Sequence, residues 1–182
     1  MLGDFAIIKK EIDRMEDIIN RFLDFARPAE PKFESVNINQ ILSEAVNLIK
    51  TRIKNEIVIR TKYEKFSSIS GDSNQLRQVF LNMLINSIEA MPDGGNITIT
   101  TNMIALLDSQ KRLLKITIED TGYGIKADLI KYIFDPFFTT KDLGTGMGLA
   151  IAFTVIEQHG GMIEVESELS KGTAFVIYLP LI

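Results

Sequence analysis

The chain has 182 residues, 46% of them hydrophobic, which is enough for one domain of ordinary size with an additional segment. The formal net charge of −4 argues against a basic nucleic-acid-binding domain, so no nucleic-acid partner is expected. The sequence has no cysteine and one histidine, His159, which excludes disulfides, a cysteine nucleophile and a multi-histidine metal site. No apolar run has the length of a membrane span and no signal peptide is visible, so we expect a cytoplasmic location, with any membrane anchor of a parent protein outside this chain.

The first 27 residues predict an amphipathic helix. Its apolar side chains recur at steps of three and four, at Phe5, Ile8, Ile12, Met15, Ile19 and Phe22. This spacing is typical of a coiled-coil seam and favours a helical bundle formed with other copies or with a partner helix, while packing on the chain's own domain is the alternative. Pro28 and Pro31 then predict a stiff linker over residues 28–32, which separates this helix from a domain at 33–182.

The patterns after the linker predict an α+β domain. Periodic apolar residues predict helices over 38–54, 73–90 and 149–159, with a short helix over 127–133. Alternating and β-branched residues predict strands over 33–36, 57–63, 96–101, 113–119, 162–167 and 173–179, with a brief strand near 67–71. A polar hairpin connection is expected over 107–111.

The helix predicted over 73–90 is apolar nearly all round, apart from one polar strip. This strip consists of Gln75, Gln78, Asn82, Asn86 and Glu89. Because buried amides need hydrogen-bond partners, the strip either bonds neighbouring main chain or forms the floor of a polar cavity. Asn82 and Asn86 lie one turn apart, where they can reach the same ligand or ion, and the pair favours a functional role.

Two glycine-containing motifs come later in the chain. Asp120 begins a DxGxG motif at the end of a central strand, and its carboxylate suits an exocyclic amino group such as that of adenine, although a plain strand-end turn explains it equally well in isolation. Gly144, Gly146 and Gly148 alternate just before an apolar helix. They leave main-chain N–H groups bare beside a helix N-terminus, which indicates an anion site, most naturally for phosphate. No lysine followed by Ser or Thr closes this loop, so it is not a Walker motif.

An aromatic segment lies between these two motifs. Phe134, Phe137 and Phe138 fall within five residues, and we expect their rings to be buried beneath a mobile segment. Lys141 follows and would be a movable cation beside the expected phosphate site, while a solvated loop lysine is the plain alternative.

Taken in order, the Asn82/Asn86 helix, the DxGxG motif, the phenylalanine segment and the glycine loop closely resemble the N, G1, F and G2 boxes of bacterial sensor histidine kinases. Glu89-Ala90-Met91 and Phe137-Phe138-Thr139-Thr140-Lys141 are most similar to the nitrogen-regulation and sporulation branch. The resemblance runs from about residue 4 to the end. It implies a Bergerat ATP-binding fold, which is a mixed sheet with helices on one face, preceded here by a single coiled-coil-like helix.

The resemblance also implies an activity and partners. The activity is that of an ATP-dependent protein histidine kinase of a two-component regulatory system, with ATP or ADP and Mg²⁺ as cofactors. The partners are the phosphoacceptor helix of the same kinase, a response regulator and, in the full-length protein, a second copy in a homodimer. Residues 1–27 resemble the second helix of the dimerisation and phosphoacceptor bundle.

Roles for single residues follow from the resemblance by position. Asn86 resembles the Mg²⁺ ligand and Asn82 a residue facing the triphosphate, and these two with Lys141 would be the catalytic residues. Asp120 resembles the partner of the adenine amino group. The other residues implied to contact the nucleotide are Gly122, Gly124, Ile125, Phe138, Gly144, Thr145, Gly146, Met147, Gly148, Leu149 and Thr173. Residues 135–146 resemble a short nucleotide lid.

One departure from the family limits what the chain can do. Members of the family transfer a phosphoryl group to a histidine on the first helix of the bundle, and this chain lacks that helix. The position of His159 indicates a structural residue at the end of a helix. We therefore expect Mg·ATP binding and transfer to a histidine on another helix. Related ATPases such as gyrase and MutL have a glutamate where this chain has Asn82, and an amide cannot take a proton from water, so slow hydrolysis is expected. The alternatives are a hydrolytic superfamily ATPase, a nucleotide-binding interaction module without transfer activity, and a serine-directed kinase of the anti-sigma type, although the seam from Phe5 to Phe22 favours a kinase with a helical bundle over the last.

Overall fold

The computed structural model describes residues 9, 12, 15, 16, 19, 22, 23, 29–51, 53, 56–66, 68–105, 112–141 and 144–181. Within these residues the elements, in chain order, are β1 (Glu34–Val36), α1 (Ile38–Lys50), β2 (Ile57–Tyr63), β3 (Ile69–Gly71), α2 (Ser73–Glu89), β4 (Gly95–Ala105), β5 (Arg112–Asp120), a 3₁₀ turn (Ile130–Tyr132), α3 (Gly148–Gln158), β6 (Met162–Glu168) and β7 (Gly172–Pro180). In this part of the chain, no helix is both long enough and apolar enough to cross a membrane.

Five strands form a mixed sheet in the order β2-β4-β5-β7-β6. Strands β2 and β4 are parallel, and the other three pairs are antiparallel. Register places Ile99 opposite Ile118, and Ile116 opposite Ile177, so that fully buried side chains line one face of the sheet. The three helices pack on this face. The predicted α+β fold with helices on one face of a mixed sheet is therefore confirmed.

Helix α2 is central to the domain because it packs against both other helices. Its inward side chains, among them Leu76, Phe80 and Met83, are fully buried. The helix begins after Asp72, whose Oδ1 accepts hydrogen bonds from the main-chain N–H groups of Asn74 and Gln75 at 2.9 and 3.1 Å. Such a cap satisfies donors that an α-helix leaves unpaired in its first turn.

The linker is bonded to the start of α2. Oδ2 of Asp72 accepts the main-chain N–H of Lys32 at 2.9 Å, and Nε2 of Gln75 donates to the carbonyl oxygen of Ala29, also at 2.9 Å. Strand β1 then pairs with β3, so that Glu34 lies opposite Gly71. The chain is thus held to the domain from Ala29 onward.

The N-terminal apolar seam is exposed where the structure describes it. Ile12, Met15, Ile19 and Phe22 are helical, and each side chain remains about half exposed. The domain therefore does not cover these four side chains, although the ring of Phe22 stacks on that of Phe137 with the centroids 6.0 Å apart. Phe5 and Ile8, the other two seam positions, lie outside the described residues.

Several predicted boundaries change. Helix α1 ends at Lys50 instead of residue 54, and Thr51, its C-cap, donates from its hydroxyl to the carbonyl of Leu48. The short helix predicted over 127–133 is reduced to the 3₁₀ turn, since Leu129 provides no side-chain cap and a segment this short is marginal as an α-helix. Strand β4 continues to Ala105 because β5 pairs with it along its length. The hairpin connection predicted over 107–111 lies outside the described residues.

Candidate functional site

A cavity of about 580 Å³ lies between α2, α3 and the segment that joins β5 to α3. Small-molecule sites typically measure about 300–1,000 Å³, so the volume suits a ligand of nucleotide size. The residues predicted for the site that line it are Asn82, Asn86, Asp120, Gly124, Ile125, Phe138, Lys141, Gly144, Thr145, Gly146, Gly148, Leu149 and Thr173.

Gly122 and Met147 are not among the residues that line the cavity, so their predicted contact with a ligand stays a prediction. The side chain of Met147 is fully buried in the core, where it precedes the first residue of α3. Gly122 lies under Ala90, and a Cβ added at Gly122 would approach the Cβ of Ala90 to 2.6 Å. Packing of the protein on itself therefore accounts for this glycine.

Asp120 provides a buried carboxylate on the cavity wall, with 3% of its surface exposed. Its Oδ1 accepts the main-chain N–H groups of Gly122 at 2.9 Å and of Thr173 at 3.3 Å. Burial raises the pKa of Asp120, and the two N–H groups together with the nearby Ser87 hydroxyl only partly oppose this rise. Because both main-chain donors use Oδ1, Oδ2 is the oxygen that can accept a hydrogen bond from a ligand.

The N-terminus of α3 is the electropositive part of the cavity. Asn37 and Asp72 cap α1 and α2 through their side chains, whereas Met147 gives α3 no side-chain hydrogen bond. The free N–H groups of its first turn and the helix dipole favour an anion at this position. Gly148 and Leu149, the first residues of α3, both line the cavity.

The glycine loop before α3 packs against Phe137, near the start of the predicted lid. Gly146 has φ +66°, and its carbonyl oxygen accepts the main-chain N–H of Phe137 at 3.1 Å. A Cβ at Gly146 would lie 2.3 Å from the carbonyl carbon of Phe137, whereas one at Gly148 would come no closer than 3.6 Å to Asn82. Only the first of these two glycines is sterically required.

Asn82 connects the two helices that line the cavity. Its Nδ2 donates to the carbonyl oxygen of Gly148 at 3.0 Å. The two alternatives for the polar strip of α2 therefore both hold, because the strip forms a hydrogen bond with neighbouring main chain and also lines the cavity. The carbonyl oxygen of the Asn82 amide is the group that this residue can still offer to a ligand.

Asn86 lies one turn further along α2, beside a lysine from the lid. The ammonium of Lys141 donates to Oδ1 of Asn86 at 3.0 Å and forms an ion pair with the carboxylate of Glu89. Glu89 also lines the cavity, and no role was predicted for it. Its position three residues after Asn86, at the end of the polar strip, is the signal that could have identified it.

The three phenylalanines do not behave alike. Phe134 and Phe138 pack against the core, and the ring of Phe134 lies 5.4 Å from that of Phe153. Phe137 is 55% exposed and has φ +67°, which is uncommon for a residue other than glycine. The prediction that all three rings are buried is therefore wrong for Phe137, whose backbone turns the side chain outward at the start of the lid.

Apolar side chains complete the cavity wall near Asp120. Ile133 and Phe175 are almost fully buried and line the cavity, while Tyr123 and Leu169 line it from the surface. This wall suits the faces of a flat ring. No sequence signal distinguishes Ile133 and Phe175 from ordinary core residues.

Comparisons with known proteins agree with this geometry. Residues 71–182 match the family described as histidine kinase-, DNA gyrase B-, and HSP90-like ATPase. Sporulation kinase A of Bacillus subtilis (strain 168) is 40% identical over 179 residues, which is 97% of this chain and 28% of that protein. The chain thus spans less than a third of the length of this relative.

Two solved structures have the same fold. Full-length ShkA in complex with AMPPNP superposes with a TM-score of 0.83 at 26% identity, covering 98% of this chain and 38% of that one. Histidine kinase ThkA in complex with the response regulator protein TrrA superposes with a TM-score of 0.76 at 27% identity, covering 97% of this chain and 50% of that one. The chain belongs to the family of histidine kinase-, DNA gyrase B- and HSP90-like ATPases, as an ATP-binding catalytic domain of the sensor histidine kinase type.

Proposed function

We propose that the chain binds Mg·ATP in this cavity, with the adenine against Asp120 and the phosphates at the N-terminus of α3. The observation that carries the proposal is the pairing of these two groups in one cavity, a buried acceptor on one wall and an uncapped helix N-terminus on another. The carboxylate can accept from the amino group of adenine, and the N–H groups can bind phosphate oxygens. ShkA, which has the same fold, forms a complex with AMPPNP, and this supports nucleotide binding by the chain.

The donor set next to the proposed phosphates fits a magnesium ion. Oδ1 of Asn86 and the carboxylate of Glu89 are oxygen ligands, the type that Mg²⁺ prefers, and both already accept a cationic group, the ammonium of Lys141. Asn86 would hold the ion. Bound Mg²⁺ neutralises charge on the phosphate oxygens.

We further propose that the γ-phosphoryl group is transferred to a histidine on a helical bundle. Lys141 and the N–H groups at the start of α3 would stabilise the charge on the transferred group, which is the main demand of phosphoryl transfer. His159 does not suit the acceptor role, because it is 4% exposed and both of its ring nitrogens are hydrogen-bonded. The acceptor would therefore be a histidine on the bundle, outside the catalytic domain.

The proposed domain organisation follows from the same reading. Residues 1–27 would be the second helix of the dimerisation and phosphoacceptor bundle, 28–32 the linker and 33–182 the catalytic domain. The exposed seam at Ile12, Met15, Ile19 and Phe22 supports this division, since these apolar side chains need a helical partner. The full-length protein would be a homodimer that works in the cytoplasm, where ATP is available. A response regulator would receive the phosphoryl group, as the ThkA complex with TrrA suggests.

Transfer is favoured over hydrolysis by the chemistry of Asn82. Its amide cannot remove a proton from water, and its nitrogen is bonded to the main chain of Gly148. Among the residues that the structure describes, the two acidic side chains that line the cavity are Asp120, which is assigned to the adenine base, and Glu89, which is paired with Lys141. We therefore expect ATP turnover by this chain alone to be slow.

Isothermal titration calorimetry with AMPPNP and Mg²⁺ tests the binding step. The transfer step is tested by mixing the chain with γ-labelled ATP and a separately expressed phosphoacceptor bundle of the sporulation kinase type. We expect binding to the unchanged chain and label on the bundle. Absence of nucleotide binding would overturn the whole proposal. Binding together with rapid release of inorganic phosphate, and no label on the bundle, would favour a hydrolytic ATPase.

A further inference from the structure

The ammonium of Lys141 occupies a two-oxygen site on α2. One oxygen is Oδ1 of Asn86, 3.0 Å from Nζ, and the other belongs to the carboxylate of Glu89, three residues later on the same helix face. The Lys141 side chain is 31% exposed, so the contact is partly shielded from solvent. A lid residue is thereby attached to the helix that forms one wall of the cavity.

The oxygen that Lys141 uses on Asn86 is the same atom that a divalent cation would need. That oxygen has two lone pairs, but an ammonium and a metal ion that both bound it would lie within a few ångströms of each other, where their positive charges repel. The carboxylate of Glu89 has two oxygens and a full charge, and it faces the same ammonium. Carboxylate is a better Mg²⁺ ligand than amide.

We propose that Asn86 and Glu89 form one cation site for which the Lys141 ammonium and the divalent cation compete, with Glu89 serving as a second metal ligand. This inference rests on the proposed nucleotide function and extends it to Glu89. With a divalent cation bound to Asn86 and Glu89, Lys141 would be displaced and its charge would become available to the phosphates. Without the cation, Lys141 would attach its part of the lid to α2, as it does in this structure.

The chain contains a matched control for this exchange. Lys171 forms an ion pair with Glu168 on the surface, where both side chains are about two-thirds exposed. The replacements Lys141→Met and Lys171→Met therefore remove the same charge and the same type of ion pair. Lys171 does not line the cavity.

The first test uses Mn²⁺ alone as the probe and measures its affinity for the chain by electron paramagnetic resonance. Removal of the competing ammonium in Lys141→Met should tighten Mn²⁺ binding about three- to five-fold, as expected for loss of a partly exposed ion pair. Lys171→Met should leave the affinity unchanged, and Glu89→Gln should weaken it. Equal affinities in Lys141→Met and Lys171→Met, or an unchanged affinity in Glu89→Gln, would overturn the proposal.

The second test follows the lysine instead of the metal. The rate at which a water-soluble acetylating reagent modifies Lys141, measured by mass spectrometry, should rise several-fold when Mg²⁺ is added, while the rate at Lys171 stays constant. A Lys141 rate that does not respond to saturating Mg²⁺ would contradict the exchange. If the unchanged chain binds Mg·AMPPNP but fails these tests, the exchange alone is wrong. If it binds no nucleotide, the proposed function is wrong, whatever result these two tests give.

Discussion

The main-chain N–H of Asp72 donates to Nε2 of His159 across 2.9 Å, and Nδ1 of the same ring lies 2.7 Å from the carbonyl oxygen of Val155. Nε2 is therefore the unprotonated nitrogen, and Nδ1 carries the proton. This histidine joins the end of α3 to the start of α2, the two helices that line the cavity. The one histidine of the chain thus has a structural role that depends on its being buried.

Replacing His159 with alanine should lower the free energy of unfolding by about 1–3 kcal/mol, because the buried N–H of Asp72 loses its acceptor. Urea unfolding at neutral pH measures this change. Glu157→Ala, at an exposed position near the end of the same helix, is the control and should have little effect. A His159→Ala variant as stable as the control would contradict the structural role, as would phosphoryl label found on His159 in the unchanged chain.

Asp72 predicts an acid-sensitive contribution to stability. Burial raises its pKa, but the main-chain N–H groups of Lys32, Gln75 and Asn74 outweigh burial and hold the pKa below its ordinary value of 3.8. A carboxylate with a lowered folded-state pKa stabilises the protein above its unfolded-state pKa, and this contribution is lost as pH falls through the folded-state value.

The free energy of unfolding should therefore fall as pH decreases below about 4, and Asp72→Asn should remove part of this slope. At neutral pH the same variant should be about 0.5–1.5 kcal/mol less stable, because the amide has one acceptor oxygen, which can cap α2, and an NH₂ group that cannot accept the N–H of Lys32. Chemical denaturation over a pH series measures both effects. Asp93→Asn, in the exposed turn after α2, is the control, and a slope unchanged by Asp72→Asn would refute the assignment.

Asp120→Asn should weaken AMPPNP binding about 10- to 100-fold, the expected loss of a hydrogen bond to a charged acceptor. The variant should also discriminate less between ATP and GTP, because guanine carries a carbonyl where adenine carries its amino group. Competition calorimetry with both nucleotides measures this change. Asp128→Asn, in an exposed turn, is the control. A uniform loss of affinity for both nucleotides would indicate a structural role for Asp120.

Asp120 can also be tested through pH, because its pKa is raised whereas that of Asp72 is lowered. AMPPNP affinity should decrease with falling pH earlier than for an ordinary carboxylate, because the protonated acid accepts poorly. Stability responds in the other direction: a raised folded-state pKa makes the ionised group a cost, so its contribution falls as pH rises from the ordinary value of 3.8 to the raised pKa. Asp120→Asn should flatten both profiles.

Gly146 and Gly148 should respond very differently to alanine. At Gly146 the positive φ and the 2.3 Å approach to Phe137 require the loop to shift, so Gly146→Ala should weaken AMPPNP binding at least about 10-fold. At Gly148 a methyl group meets ordinary contacts, and alanine favours the helix by up to about 1 kcal/mol. Calorimetry and thermal unfolding of both variants check the pair. If both variants lost AMPPNP affinity to a similar extent, the ligand would require main chain without a side chain at both positions, and loop geometry would not explain the requirement.

The parts of the fold that sequence predicted well are those where one face of an element is buried. Strand β2 was predicted with its observed bounds, and α2 to within one residue, because alternation and helical periodicity record which side chains face the core. The grouping of the Asn86 amide with the Asp120 carboxylate in one site was predicted from the resemblance to sensor histidine kinases, since the Asp120 motif alone left a plain strand-end turn open. Both side chains line the cavity.

The features that the sequence did not predict are those that depend on tertiary contacts. The hydrogen bond from Asn82 to Gly148 and the ion pair of Glu89 with Lys141 join residues more than 50 positions apart, so no local pattern contains them. The outward ring of Phe137 depends on a positive φ that its residue type does not favour. Ligand access at Gly122 stays a prediction, and the packing of this glycine under Ala90 is a further tertiary contact that the sequence pattern did not reveal.

The two hydrogen bonds that hold Ala29 and Lys32 to α2 have a practical consequence for how this domain can be cut. A truncation placed after Pro31, where composition alone would put it, deletes the group that Gln75 binds and leaves the new terminus at the residue that Asp72 binds. Such a fragment would have a less stable first turn in α2, the helix that carries both asparagines of the site. A shortened version meant for inhibitor screening or crystallisation should therefore start ahead of Ala29. Any hinge between the N-terminal helix and the catalytic domain would likewise lie upstream of that residue.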